Sequence, residues 1–167
     1  MELVGNANEI QVVADIFRDV RSREFREKLD AILRCPPDGR LERGFESLDE
    51  PSRENAYAVS YFFEDLGVLV SNDLIRREIV LTTVSSILTR AWHALRPAID
   101  AERDFRHRTY AKDVSPTFLP HFEALVLMAV ARQSTATRRG RSARPTAAET
   151  PVEPSTLQSN EAANAPN

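Results

Sequence analysis

Two apolar stripes at helical spacing, separated by a short polar corner, occupy residues 55–103 and constrain the fold more than any other feature. The first stripe advances by three and four residues and consists of Ala56, Val59, Phe63, Leu66 and Val70. The second follows the corner at residues 71–73 and repeats a leucine every seven residues, at Leu74, Leu81, Leu88 and Leu95. Both spacings place apolar side chains along one face of an α-helix. The short corner therefore predicts two long helices packed antiparallel.

A helical pattern also precedes this pair. Residues 7–20 form a predicted helix that opens at a capping box of Asn6 and Glu9. One apolar stripe runs along this helix and consists of Ile10, Val13, Phe17 and Val20. The pattern breaks near Ser22 and resumes on a shifted face as far as Arg34, after which two prolines end it.

Cap residues set the expected starts of the two central helices. Ser47 and Glu50 match a capping box that would open the first of them. Asn72 or Asp73 is expected to cap the second, since both side chains are good acceptors for the free amides of a first helical turn.

Prolines mark the later part of the chain. Pro97 falls inside the leucine-rich helix, and we predict a kink there, because Ile99 and Arg103 keep helical spacing beyond it. A last helix with an apolar face is expected to begin after a cap at Ser115 or Thr117.

The sequence changes character at Ser134. Large apolar residues become rare, and serine, threonine, alanine and proline dominate the remaining residues. Such a segment buries too little surface to offset the entropy lost on ordering. We therefore expect a helical domain at residues 1–133 and a disordered tail at residues 134–167.

Composition excludes several classes of protein. The formal net charge of the 167 residues is −3, which argues against a dedicated nucleic-acid-binding domain. A short arginine-rich patch in the tail allows only a weak, salt-sensitive contact with nucleic acid. The longest apolar run, residues 124–131, is too short for a membrane span. With a single cysteine, Cys35, and no signal peptide at the start, the chain is expected to be soluble and cytoplasmic.

No catalytic or metal-binding pattern is recognisable. The three histidines, His93, His107 and His121, have no partner at the spacing that places two ligands on one helix face. The five glycines are scattered, so no phosphate-binding loop is present in the sequence. We therefore expect no cofactor, no metal ion and no catalytic residue.

Two carboxylates next to core phenylalanines are the most distinctive polar residues. Glu64 follows Phe63 and Glu123 follows Phe122, so both acids should be partly buried and in need of a cationic partner. In an antiparallel pair of helices, Arg103 comes level with Glu123. We interpret Glu64, Arg103 and Glu123 as candidates for a structural ion pair, and paired acids for general acid–base catalysis are the alternative.

The order of these residues resembles a known family. The matching pattern is Phe62-Phe63-Glu64 … Gly67 … Leu69-Val70, then Trp92 … Leu95 … Pro97 … Ile99 … Arg103, then Phe122-Glu123 … Leu125. It resembles the uncharacterised bacterial family called domain of unknown function 4760, over roughly residues 10–131. The resemblance implies a small helical protein, and some members carry an N-terminal membrane segment. It implies no activity, cofactor or catalytic residue.

The sequence thus predicts an all-α protein, an antiparallel helical bundle of four or five helices with a disordered C-terminal tail. The side chains expected at the centre of its core are Phe63, Leu66, Leu88, Trp92, Leu95 and Phe122. We expect a non-enzymatic module that binds a protein partner or forms a homo-oligomer. The alternative is a small-ligand or hydrolytic site, built from Glu64, Glu123, Arg103 and His93.

Overall fold

The structure is a computed structural model that describes residues 2–37, 41–110 and 117–142, with side chains described from residue 10 to residue 135 within those ranges. Its elements are α1 Glu2–Arg21, α2 Arg23–Arg34, a 3-10 turn Gly44–Ser47, α3 Glu50–Ser71, α4 Arg77–Thr109 and α5 Pro120–Ser142. The described residues contain helices and turns only. This confirms the predicted all-α fold.

The first helix begins earlier than predicted. Because α1 starts at Glu2, Asn6 lies inside the helix, and the capping box predicted at Asn6 is wrong. The predicted break does lie at Ser22, which separates α1 from α2. Its hydroxyl oxygen accepts a hydrogen bond from the amide of Phe25 at 3.1 Å. A serine that satisfies a free amide in this way starts a new helix.

The cap predicted for α3 is also wrong. Asp49 precedes α3 as its N-cap residue, and Glu50 is the first helical residue. Ser47 ends the 3-10 turn instead, where its hydroxyl oxygen accepts a hydrogen bond from the amide of Arg43.

The corner between α3 and α4 is longer than the sequence suggested. Asn72 is the C-cap of α3, and its side-chain amide donates to the carbonyl of Val68 at 2.8 Å. Asp73 adopts a left-handed conformation with φ of 54°, which ends the helical path. α4 begins only at Arg77, so neither Asn72 nor Asp73 caps it. Leu74, the first leucine of the predicted repeat, lies outside the helix and is 59% exposed.

Pro97 does not end α4, which continues as far as Thr109. The start of α5, in contrast, differs from the prediction. α5 begins at Pro120, three residues after Thr117, and follows Leu119, whose φ is 58°. Thr117 is therefore not its immediate cap, and Ser115 lies outside the described residues.

α5 also extends past the predicted start of the tail, because its backbone is helical as far as Ser142. The hydroxyl groups of Ser134 and Thr135 donate to the carbonyls of Val130 and Ala131 one turn earlier. These polar residues are thus satisfied within a helix, and the boundary at Ser134 is not a helix end. The rest of the predicted tail, residues 143–167, lies outside the described residues.

Aromatic side chains connect the helices at the centre of the core. The ring of Phe63 on α3 stacks on that of Phe122 on α5, with centroids 5.1 Å apart. The rings of Trp92 on α4 and Phe122 form a T-shaped pair, with centroids also 5.1 Å apart. Every side chain that we expected at the core centre is at most 6% exposed. α3, α4 and α5 therefore share one hydrophobic core, against which α2 also packs.

Candidate functional site

A polar strip on α3 receives the beginning of α5. The carboxylate of Glu64 accepts a hydrogen bond from the amide of Phe122 at 2.8 Å. One turn further along α3, a Cβ added to Gly67 would lie 2.5 Å from the carbonyl oxygen of His121. The hydroxyl of Ser71 lies 3.2 Å from Nδ1 of His121. The Glu64 carboxylate lies at the N-terminal, positive end of α5, and Gly67 leaves room for the α5 backbone. Together they allow α5 to pack closely against α3.

Arg103 on α4 holds the same end of α5 from the other side. Its Nη2 lies 2.8 Å from Oε2 of Glu123, in the pairing that we expected from the sequence. Its Nε donates to the carbonyl of Phe118 at 2.9 Å. The contact with Glu123 is an ion pair by distance, while the N–H groups of Nη2 align on no acceptor within the described residues. The guanidinium also lies 6.0 Å from the ring of Trp92.

His93 does not join this cluster. It is exposed on α4, whereas Glu64, Arg103 and Glu123 are all engaged where α5 begins. The structure therefore does not bring together the four residues of the alternative ligand or hydrolytic site. No group of three potential metal ligands occurs among the side chains that the structure describes.

A second polar contact was missed in the sequence. Glu102 on α4 is 4% exposed, and its Oε2 accepts a hydrogen bond from the amide of Phe45 at 2.9 Å. Its Oε1 pairs with Nε of Arg106 at 2.7 Å. Gly44 adopts a φ of 58°, and a Cβ there would overlap with Oε2 of Glu102. This carboxylate thus fastens the 3-10 turn to α4, and only the four-residue spacing of Glu102 and Arg106 hinted at it.

An open cavity of about 370 Å³ adjoins this contact. Its lining includes Glu46, Tyr57, Glu102, Arg106 and Tyr110. Burial raises the pKa of the Tyr57 hydroxyl, and the neighbouring Glu102 and Glu46 carboxylates raise it further. Tyr57 therefore holds its proton more firmly than a tyrosine in water.

The apolar stripe predicted on α1 is only partly covered. Ile10 is 68% exposed, and no described side chain of α1 is fully buried. Val12, Val13, Ile16 and Val20 pack partly against the core. Val13 also lines an apolar groove of about 240 Å³ between α1 and the start of α4, together with Ile10, Ala14, Phe17, Arg76 and Ile79. We call Ile10, Val13, Ala14 and Phe17 the α1 face.

α1 therefore has more apolar surface than its own fold covers. The helical pattern showed that these residues share a stripe, but not how much of it another helix would bury. On α5, Leu127 and Val130 are also exposed, at 65% and 44%.

A known protein family matches most of this chain. The model of the family described as domain of unknown function, DUF4760, matches residues 6–128. The chain belongs to this family. The match confirms the resemblance seen in the sequence. No curated protein and no solved structure matches the chain.

The DUF4760 region contains both polar contacts and the α1 face. It extends from α1 across the Glu64, Glu102 and Arg103 contacts to Met128 on α5. Within the part of the chain that the structure describes, no helix of this DUF4760 protein is both long and apolar enough to cross a bilayer.

Proposed function

We propose that this DUF4760 chain is a non-enzymatic helical module that binds another protein molecule through the α1 face. The observation that carries the proposal is the exposure of Ile10 beside an apolar groove, on a helix with no fully buried described side chain. We place the module in the cytoplasm, since a lone exposed thiol such as Cys35 suits a reducing compartment.

The polar side chains support a binding role by what they do within the fold. Glu64, Glu102 and Arg103 hold helices and turns together. Their polar groups are therefore occupied by contacts that hold the bundle together. The α1 face is less engaged, because Ile10 is 68% exposed and Val13 packs only partly against the core.

Apolar burial supplies enough free energy for a specific contact. Covering a side chain of the size of Ile10 or Phe17 contributes about 1.5–3 kcal/mol. Several such side chains on one helix face form the usual anchor pattern of a helix-mediated interface. Losing one of them to a charge should therefore weaken binding strongly.

The test compares two single charge substitutions. Ile10→Glu changes the α1 face, whereas Leu127→Glu changes an equally exposed apolar side chain on α5 and serves as the matched control. Association is measured by size-exclusion chromatography with light scattering, and by quantitative cross-linking of tagged chain in a native cell extract. We expect association, with itself or with one other protein, to be lost in Ile10→Glu and kept in Leu127→Glu. Association that is absent, or is unchanged by Ile10→Glu, would contradict the proposal.

A further inference from the structure

We infer that the open cavity beside Tyr57 is a binding site for a methylated ammonium cation, held by aromatic side chains in a net negative field. None of the described residues that line this cavity belongs to α1, so the inference is independent of the protein interface proposed above. It follows from the size of the cavity, its aromatic lining, its charges and the state of its hydrogen-bond acceptors.

The cavity has the size and the lining of a site for a small ligand. Its volume of about 370 Å³ lies within the range of roughly 300–1,000 Å³ that is usual for small-molecule sites. Three of the described residues that line it are aromatic, namely Tyr57, Phe105 and Tyr110. The faces of aromatic rings are negative and attract cations, and clusters of such rings recognise methylated ammonium groups.

Packing within the fold fixes the ring of Tyr57 at this cavity. The ring forms a T-shaped pair with that of Phe45, with centroids 4.9 Å apart, and stacks on the ring of Tyr61, with centroids 5.7 Å apart. Phe45 is fully buried in the 3-10 turn. This wall of the cavity therefore needs little ordering when a ligand binds, which favours affinity.

The charges that line the cavity favour a cation over an anion. Among the described residues of the lining, two carboxylates, Glu46 and Glu102, accompany one guanidinium, that of Arg106. Burial raises the pKa of the Tyr57 hydroxyl, both carboxylates raise this pKa further, and Arg106 lowers it by less than either carboxylate raises it. The field at this wall of the cavity is therefore net negative.

Glu102 and Arg106 already have partners within the fold. One carboxylate oxygen of Glu102 accepts from the amide of Phe45 at 2.9 Å, and the other accepts from Nε of Arg106 at 2.7 Å. The guanidinium of Arg106 also lies 4.3 Å from the centroid of the Phe118 ring. The two opposite charges offset each other in place, so the surplus negative charge of the lining belongs to Glu46.

Glu46 supplies a charge more than a hydrogen-bonding site. Its side chain is half-exposed and lies 3.7 Å from Nη1 of Arg53, whose closer contact is with Glu50. A primary ammonium requires several acceptors for its three N–H groups. A methylated ammonium requires only negative charge and aromatic surface, and these are what the cavity offers.

A nuclear magnetic resonance titration with choline tests the inference, because choline is a small methylated ammonium cation. The amides of Phe45 and Tyr110 report on the cavity, since they donate to Glu102 and to the carbonyl of Arg106. We expect both resonances to shift with a Kd in the millimolar range. The control ligand is 3,3-dimethyl-1-butanol, which has the shape of choline without its charge and should shift neither resonance.

Substitutions in the lining test the role of each side chain. Tyr57→Leu should weaken choline binding about fivefold or more, because it removes an aromatic ring, whereas Tyr57→Phe should change it by less than about twofold. Glu46→Gln should weaken binding about threefold or more, because it removes a negative charge. Asp104→Asn removes the same charge from an exposed site on α4 outside the lining and is the matched control.

Circular dichroism that matches the unchanged chain shows that each variant is folded. Tyr57 packs within the fold, so Tyr57→Leu is the variant at risk. Glu46→Gln changes a half-exposed side chain and keeps the test decisive if Tyr57→Leu does not fold.

A free small molecule and a methylated lysine of another protein carry the same cationic group. A short peptide that contains trimethyllysine, compared with the same peptide containing lysine, distinguishes these two sources. Tighter binding of the trimethyllysine peptide than of choline would assign the cavity to a protein ligand. The reverse order would assign it to a small molecule.

Three results would overturn the inference. Equal binding of 3,3-dimethyl-1-butanol and choline would show that charge has no role. Resonances of Phe45 and Tyr110 that do not move at choline concentrations well above the millimolar range would show that the cavity binds no such cation. A loss in Asp104→Asn as large as that in Glu46→Gln would show that only the overall charge of the protein matters. None of these results bears on the α1 face, which Ile10→Glu tests separately.

Discussion

Nη2 of Arg103 lies 2.8 Å from Oε2 of Glu123, and this pair joins α4 to the first turn of α5. The side chain of Arg103 is 19% exposed and that of Glu123 is 41% exposed. Water therefore screens the carboxylate more than the guanidinium. Arg103 also has two further contacts, the carbonyl of Phe118 and the ring of Trp92, so the two partners are not equivalent.

Arg103→Met should therefore destabilise the protein more than Glu123→Gln. We expect about 2–4 kcal/mol for the arginine, which loses a hydrogen bond from a charged group, and about 1 kcal/mol for the half-exposed acid. Chemical denaturation of both single variants and the double variant gives the coupling energy, expected to exceed about 0.5 kcal/mol. Single losses that simply add would show that the pair contributes no stability of its own.

Gly67→Ala should destabilise the protein although alanine favours helices. A Cβ at this position would lie 2.5 Å from the His121 carbonyl oxygen and 2.6 Å from its carbon, so α5 must shift. We expect a net loss of about 1–3 kcal/mol, despite a propensity gain of about 1 kcal/mol. Thermal unfolding measures this, with Asp65→Ala at an exposed site on α3 as the control. An increase in stability would mean that α3 and α5 are not in close contact here.

Ser60→Ala should leave stability unchanged or raise it by up to about 1 kcal/mol. Ser60 is 0% exposed, and its hydroxyl has no hydrogen-bond partner among the described residues. Ser85→Ala is the contrasting variant, since that hydroxyl donates to the carbonyl of Leu81. Urea denaturation measures the free energy of unfolding of both variants. A loss above about 1 kcal/mol for Ser60→Ala would reveal a partner for its hydroxyl, such as a bound water.

Tyr57 should make the fold sensitive to alkaline pH. Its pKa in the folded protein is raised above the ordinary 10.0, mainly by burial, so folding favours the protonated form. The stability that this contributes is fully present below pH 10 and is lost as the pH rises through the folded pKa. Absorbance titration of the tyrosines should show a late step that disappears in Tyr57→Phe and remains in Tyr110→Phe. A late step that survives Tyr57→Phe would assign it to another residue.

Deletion of residues 134–167 should lower the thermal midpoint by no more than about 2 °C. The described side chains from Val130 to Thr135 are exposed, so this end of α5 adds little to the core. Scanning calorimetry of the full and shortened chains checks the prediction. A fall of several degrees would show that the deleted segment packs against the bundle.

The core was predictable because its periodicity is local. Phe63, Leu88 and Phe122 each belong to a row of apolar residues spaced at helical intervals. The pairing of Arg103 with Glu123 was predictable because the distances from the shared loop determine which residues of two antiparallel helices lie side by side. One contact depended on information that such patterns lack. Glu102 reaches the amide of Phe45 across 57 residues of sequence, and no spacing rule records that contact.

The α1 face illustrates a different limit. Ile10 and Val20 have the same place in an apolar stripe, yet one is exposed and the other packs partly against the core. Periodicity assigns residues to a face, whereas burial depends on the neighbour that covers it. Leu74 was likewise assigned to an apolar stripe by its spacing, but the backbone turn at Asp73 removes it from the helix.

The hydrogen bond from the Phe122 amide to Glu64 has a consequence for the order of folding. The acceptor lies 58 residues earlier in the chain than the amide that it satisfies. During synthesis α3 leaves the ribosome well before α5, so the Glu64 carboxylate stays hydrated until the last helix arrives. The chain must close a loop of that size, at a cost in entropy, before the hydrogen bond can form. This cost slows the docking of α5. α5 should therefore join the bundle late, as its first turn and its docking surface form together.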